Sequence, residues 1–133
     1  MGAISLAPSR AWRLFVDSIE IILAFHSTTL GLYLLLPFDT FGSSPSFAIM
    51  AAIAPEWAWG SVILACGLGL LAAMWIGSVH WRLRILILLA HLWLIIAVAV
   101  AVANYRSSGV ISYVFFCIIY IATYLRLAAE NGR

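Results

Sequence analysis

Four long apolar runs, separated by short polar interruptions, leave this chain very few folds. They are roughly Trp12–Leu36, Trp57–Gly77, Ile85–Ala103 and Val110–Leu127. Each is close to the ~20 residues that cross a bilayer core as a helix. Hydrocarbon offers a backbone amide no water to bond, so runs of this length must satisfy their own polar groups as α-helices. A membrane barrel would need short strands of alternating hydrophobicity, and no period-two pattern is present. The expectation is an all-α integral membrane protein, a bundle of four transmembrane helices forming a single domain over residues 1–133.

Composition narrows the function classes. Hydrophobic residues make up 65% of the chain and charged residues 9%, against about 45–50% and about 25% in soluble domains. That excludes a water-soluble globular enzyme, a disordered chain and a nucleic-acid-binding module. The net charge of +2 comes from arginines alone, with no lysine, and they are scattered along the chain where a nucleic-acid surface would cluster them. Cys66 and Cys117 sit inside apolar runs without CxxC or metal-ligand spacing, and such thiols behave mostly as small hydrophobes. There is no nucleophile–base pair, phosphate-binding loop or metal motif, so no catalytic residue, enzyme activity or metal is expected. The N-terminal MGAISLAPSRAWRLF lacks the order of a signal peptide, and the first run is read as a retained helix.

Of the connections, Pro37–Pro55 is long, while Trp81–Arg84 and Asn104–Gly109 read as tight turns. Within the long one, Ser44 before Pro45 is a helix-start signal. Phe47, Met50 and Ile53 then follow at helical spacing and Pro55 stops the segment, which predicts a short interfacial helix over about residues 45–54. Arg10, Arg13, Arg82, Arg84, Arg126 and Arg133 all fall at one side of the bundle and only Arg106 at the other. Arginine-rich short loops face the cytoplasm. Both termini are therefore expected in the cytoplasm, with the chain in the bacterial inner membrane or an equivalent one. Trp12 and Trp81 fit the inner aromatic belt, and Trp57 and Trp59 the outer.

Two sets of residues stand out. Ser61, Ala65, Gly69, Ala73 and Gly77 recur every four residues along the second helix, and small residues let helices approach closely in lipid. The stripe fits packing within the chain or against another subunit. The second set is polar. Asp17 and Glu20 lie one and two turns inside the first helix, on a face shared with Arg13, Ala24, Ser27 and Gly31. Carboxylates in a membrane cost a few kcal/mol each unless paired, and so mark candidate sites. At about 1.5 Å per residue, Glu20 sits roughly 10–12 Å from the boundary, near the depth of His91 and Tyr120. A cytoplasmic-half cluster of Arg13, Asp17, Glu20, Arg84, His91, Tyr120, Tyr124 and Arg126 is expected. Arg13 and a neighbouring loop arginine would neutralise the two carboxylates. A proton or ion path, and a site for a lipid headgroup, quinone or partner protein, are the alternatives.

His26 near the midplane and His91 are the candidate ligands for haem or chlorin, although bis-imidazole ligation needs matching depth on facing helices. No cofactor is otherwise implied.

The order of elements resembles the DoxX-type family of small four-helix membrane proteins. The corresponding stretches are SRAWRLF, PSFAIMAAIAPEWAWG and HWRLR, and the likeness covers most of the chain. The stretch DTFGSSPSFAIMAAIAPEWAWG is also similar to small membrane proteins of bacteria and tailed phages. The DoxX-type resemblance implies an accessory role in redox- or stress-related membrane complexes and carries over no catalytic residue. The expected function is a non-enzymatic accessory or scaffolding subunit of a membrane complex. Its partners would be membrane lipids and other membrane subunits or a second copy. A self-assembling pore-former of the holin or small-channel type is the alternative, and a haem- or chlorin-bearing redox subunit a third.

Overall fold

The computed structural model describes residues 10–132, with side chains from residue 17 onward. The described residues form helices and connecting turns. The order is α1 (Arg10–Leu35), α2 (Thr40–Ser43), a 3₁₀ turn (Pro45–Phe47), α3 (Ala48–Ile53), α4 (Glu56–Trp75), α5 (Val79–Ala103) and α6 (Ser108–Asn131). Four of them, α1, α4, α5 and α6, are long and apolar enough to cross a membrane.

Local chemistry sets most of the boundaries. α1 stops at Leu35, two residues before Pro37, because proline disfavours helix in the residue ahead of it. α4 ends with Gly77 at φ 68°, the Gly77 N–H on the Met74 carbonyl and the Ser78 N–H on the Ala73 carbonyl at 2.9 Å. This is the glycine C-cap that turns the last orphan carbonyls inward. Gly77 is thus a turn residue and no part of a packing stripe.

The turn at Ile76–Ser78 corrects one boundary. α5 begins at Val79, six residues before the expected Ile85, so Trp81–Arg84 forms its opening turns and no tight loop. With 25 residues rising about 1.5 Å each, α5 exceeds the ~30 Å hydrocarbon core. In a bilayer its first turns would carry His80, Arg82 and Arg84 at the polar boundary. α6 likewise runs four residues past the expected Leu127.

The four long helices pack as two hairpins, α1 with α4 and α5 with α6, joined mainly through α4 and α5, while α1 and α6 keep their backbones apart and meet through side chains. The α1–α4 crossing depends on three glycines. A Cβ on Gly31 would fall on the Leu64 backbone, one on Gly67 would lie 2.6 Å from the Thr28 nitrogen, and one on Gly60 would lie 3.0 Å from the Gly31 carbonyl oxygen. This corrects the expected packing stripe. Ser61 and Ala65 are exposed, whereas the lower part of the stripe does pack, with Ala73 buried and Gly69 against the tip of Ile85 of α5. The close-approach face of α4 is Gly60, Leu64 and Gly67.

α2, the 3₁₀ turn and α3 form a cap over one end of the bundle. Met50, Phe41 and Ser46 are buried beneath it, and Ile53 is exposed. The cap is tied down by Glu56, whose Oε2 accepts the Thr40 and Phe41 N–H groups at 3.1 and 3.2 Å, and by the Trp59 indole donating to the Met50 carbonyl at 3.1 Å. Trp59 is therefore a buried strut and not a member of an outer belt, unlike the exposed Trp57. The expected single helix over residues 45–54 is a 3₁₀ turn followed by a short α-helix.

Candidate functional site within the bundle

The buried face of α1 carries Glu20, Leu23, Ala24, Ser27, Gly31 and Leu34, a run spaced three or four residues apart. It holds both polar clusters.

The first lies at the arginine-rich end. Glu20 is 0% exposed, and the Arg82 guanidinium holds both its oxygens, Nε to Oε2 at 2.8 Å and Nη2 to Oε1 at 2.7 Å. Asp17, 57% exposed, stands 3.8 Å from the same Nη2, and the Arg82 side chain is 15% exposed. The paired geometry matches a planar guanidinium to a carboxylate, with two parallel charge-assisted hydrogen bonds. Arg82 reaches Glu20 because Arg82, Leu86, Leu89 and Trp93 form one stripe of α5, the last three fully buried.

The second cluster lies deeper. Tyr120 of α6 donates its hydroxyl hydrogen to the Leu23 carbonyl at 2.9 Å, and its oxygen lies 2.6 Å from Ser27 Oγ. Tyr120 and Ser27 are both buried completely. Trp93 stacks between Tyr113 and Tyr120, with ring centroids at 5.7 and 6.5 Å, and lies 5.2 Å from Phe116. His26 stacks on Phe116 at 4.0 Å and sits 5.1 Å from Trp93. Its Nδ1 is buried and makes no hydrogen bond with the described residues.

The structure therefore divides the expected polar cluster. It brings together Asp17 and Glu20, with Arg82 in the place given to Arg84. Arg84 projects about 200° around the helix from Arg82 and lies over the Trp81 ring, 5.3 Å from its centroid. His91 is exposed and its Nδ1 is 2.8 Å from the Ile87 carbonyl of its own helix. Tyr120 serves the deeper hydroxyl pair. Tyr124 packs against the core. Arg126 bonds Glu130 one turn along α6, at 3.0 and 3.1 Å. The Arg13 side chain lies outside the described residues, as does that of Trp12.

The two histidines proposed as cofactor ligands do not share a cavity. His26 faces Trp93, and His91 is about 200° around α5 from Trp93, in a small pocket with Cys117 and Ile121. That arrangement does not fit a bis-imidazole site within one chain. Cys117 donates weakly to the Ala90 carbonyl at 3.4 Å, and Cys66 and Cys117 are free and buried. Among the described residues no three His, Cys, Asp or Glu side chains converge to hold a metal.

Arg82 and Trp93 were not named in the expected cluster, although a loop arginine was expected to neutralise the carboxylates, and Ser27 was placed on the Glu20 face without a role. A signal for Arg82 existed in its spacing of four, seven and eleven residues to Leu86, Leu89 and Trp93, and it was hidden by placing the helix start at Ile85.

Compared with known proteins, the chain matches no family model, no curated protein and no solved structure.

Proposed function

We propose that this chain is a non-enzymatic accessory or scaffolding subunit of a membrane complex, and that it meets its partner along the seam between α1 and α6. One observation carries this reading. Backbone packing is close between α1 and α4, α4 and α5, and α5 and α6, whereas the α1 and α6 backbones stand apart and are bridged by side chains, Tyr120 to Leu23 and Ser27 and His26 to Phe116, which leaves this seam the loosest of the four.

Exposed Phe25 on α1 and Phe115 on α6 lie on the helices flanking this seam, while His26 is stacked inside it on Phe116 with its Nδ1 buried. A helix laid along the seam would cover these apolar flanks, with van der Waals packing as the driving force in lipid. The interior is filled by Leu70, Leu86, Trp93 and Tyr120, so a pore of the alternative reading would have to line the space between copies.

A photo-crosslinking amino acid at Phe115, introduced in native membranes, tests the proposal. One distinct protein adduct, recovered again by mild detergent purification, is the expected result. Adducts to lipid alone, with a stable monomer by light scattering, would sink it. Adducts to a second copy, with leakage from liposomes, would replace it with the pore-former. A visible absorption band in the purified particle would direct attention to a cofactor held with another subunit's help.

A further inference from the structure

We infer that the arginine-rich end of the α4–α5 face is a binding site for one anionic phospholipid. An acyl chain would lie in a groove between the helices, with its phosphate held at Arg84.

The groove has a volume of about 360 Å³ and is lined by Gly69, Ala72, Ala73, Ile76, Trp81 and Ile85. Its floor is the part of α4 where three small side chains let the surface recede, and Ile76, Ile85 and Trp81 form its walls. From Gly69 to Ile76 it follows α4 for about 10 Å, at about 1.5 Å per residue. Nothing in that lining carries a charge, which suits a hydrocarbon chain and no polar ligand.

The mouth of the groove has the opposite chemistry. Trp81 is 52% exposed, with the Arg84 guanidinium 5.3 Å from its ring centroid and the His80 ring edge-on at 6.4 Å. Tryptophan with an adjacent cation is the pairing found where acyl chains give way to headgroups. Among the described residues Arg82 is paired with Glu20 and Arg126 with Glu130, whereas Arg84 has no carboxylate within ion-pair distance. Ser78, at the N-cap of α5, makes no side-chain cap hydrogen bond, so the start of this 25-residue helix has no side-chain cap, and an uncapped helix start favours an anion nearby. An unpaired cation and an exposed tryptophan beside an uncharged groove are complementary to one molecule with a phosphate at one end and a hydrocarbon chain at the other.

Arg106 provides an internal control. Its guanidinium also lies over an aromatic ring, that of Tyr105 at 5.5 Å, but Tyr105 and Arg106 line none of the grooves described here. A merely diffuse attraction between arginines and anionic lipid would treat the two alike.

The test is native mass spectrometry of the full chain in detergent, titrated with phosphatidylglycerol or with phosphatidylcholine of the same chains. One arginine near an anionic surface corresponds to about a fivefold preference. The wild-type chain should retain a single phosphatidylglycerol about fivefold better than phosphatidylcholine. Arg84→Gln should abolish that preference and Arg106→Gln should keep it. Ala72→Leu, on the open floor of the groove, should reduce retention of both lipids. Gly69→Leu should do the same, since a Cβ there meets only the flexible tip of Ile85 at 3.2 Å. Equal retention of the two lipids by the wild type would overturn the inference, and so would equal losses in the two arginine variants. Full retention in both groove-filling variants would remove the acyl-chain half of it.

Discussion

Arg82 on α5 holds both carboxylate oxygens of Glu20 on α1, at 2.7 and 2.8 Å, and so clamps one helical hairpin to the other. α1 packs most against α4 and α5 most against α6, and His26 of α1 also meets Trp93 of α5 at 5.1 Å deeper in the bundle. The Glu20–Arg82 pair is therefore the principal polar link across the two hairpins at this end.

Breaking that clamp from one side should be worse than deleting it. Removing one member of a buried pair strands a charge and costs about 3–5 kcal/mol, whereas replacing both by apolar residues is often neutral or stabilising. Asp17 lies 3.8 Å from Arg82 and would take part of the load, so Glu20→Leu is expected at the lower end, about 3 kcal/mol. The double variant Glu20→Leu with Arg82→Leu should recover most of the loss. Unfolding by SDS titration in mixed micelles checks both. A Glu20→Leu chain as stable as wild type would show that the clamp carries no stability, and a double variant weaker than the single would show that Arg82 has another use.

The α1–α4 crossing makes a sharper prediction, because its glycines have backbone as their neighbours. Gly31→Ala and Gly67→Ala each require two helices to move apart, and overpacking of that kind costs about 1–3 kcal/mol. Ser61→Leu and Ala65→Leu fall on the exposed side of the same helix and should stay within about 0.5 kcal/mol. The same SDS titration separates the two faces of α4. Equal losses on both would mean that the exposed stripe of α4 is itself covered, and the partner would then have to be placed on α4 and not on the α1–α6 seam.

The deeper hydroxyl pair should contribute less. Tyr120→Phe deletes the bond to the Leu23 carbonyl and the contact with Ser27 Oγ while leaving the stacked rings. Interhelical hydrogen bonds in membranes average about 0.6 kcal/mol and reach about 1.7. A loss of about 1 kcal/mol is expected, with a positive coupling to Ser27→Ala in a double-mutant cycle. Additive losses would mean that the two hydroxyls act independently.

The parts of this molecule that were legible from its letters are those with one dominant physical cause. Four long apolar runs favour four long helices, and the face Glu20–Ala24–Ser27–Gly31 follows from the 3.6-residue period, and both agree with the described structure. The start of α5 was harder to place. His80, Arg82 and Arg84 read as a polar loop because charge density resembles a turn, and only the Gly77 C-cap reveals that the chain has already turned by then. Missing that boundary by six residues exchanged Arg82 for Arg84, since neighbours two apart face nearly opposite ways on a helix. The packing glycines were missed for a related reason. Both Gly60, Leu64 and Gly67 and the stripe from Ser61 to Gly77 are plausible faces, and choosing between them requires knowing where α1 lies.

The cap offers a prediction that leaves the four long helices untouched. Glu56 is the acceptor for the first N–H groups of α2, a helix of four residues too short to persist without a tertiary anchor. Glu56→Ala removes that anchor and should loosen residues 36–55 together, because the Trp59 bond to Met50 holds only the α3 side. Hydrogen exchange in the peptide covering Phe38–Phe47 should accelerate by about tenfold, the equivalent of about 1.4 kcal/mol, close to the net contribution of a charge-assisted hydrogen bond. Exchange in α5 and α6 should not change. A uniform acceleration across all spans would mean instead that the cap holds the bundle together, and Glu56 would then belong to the global fold.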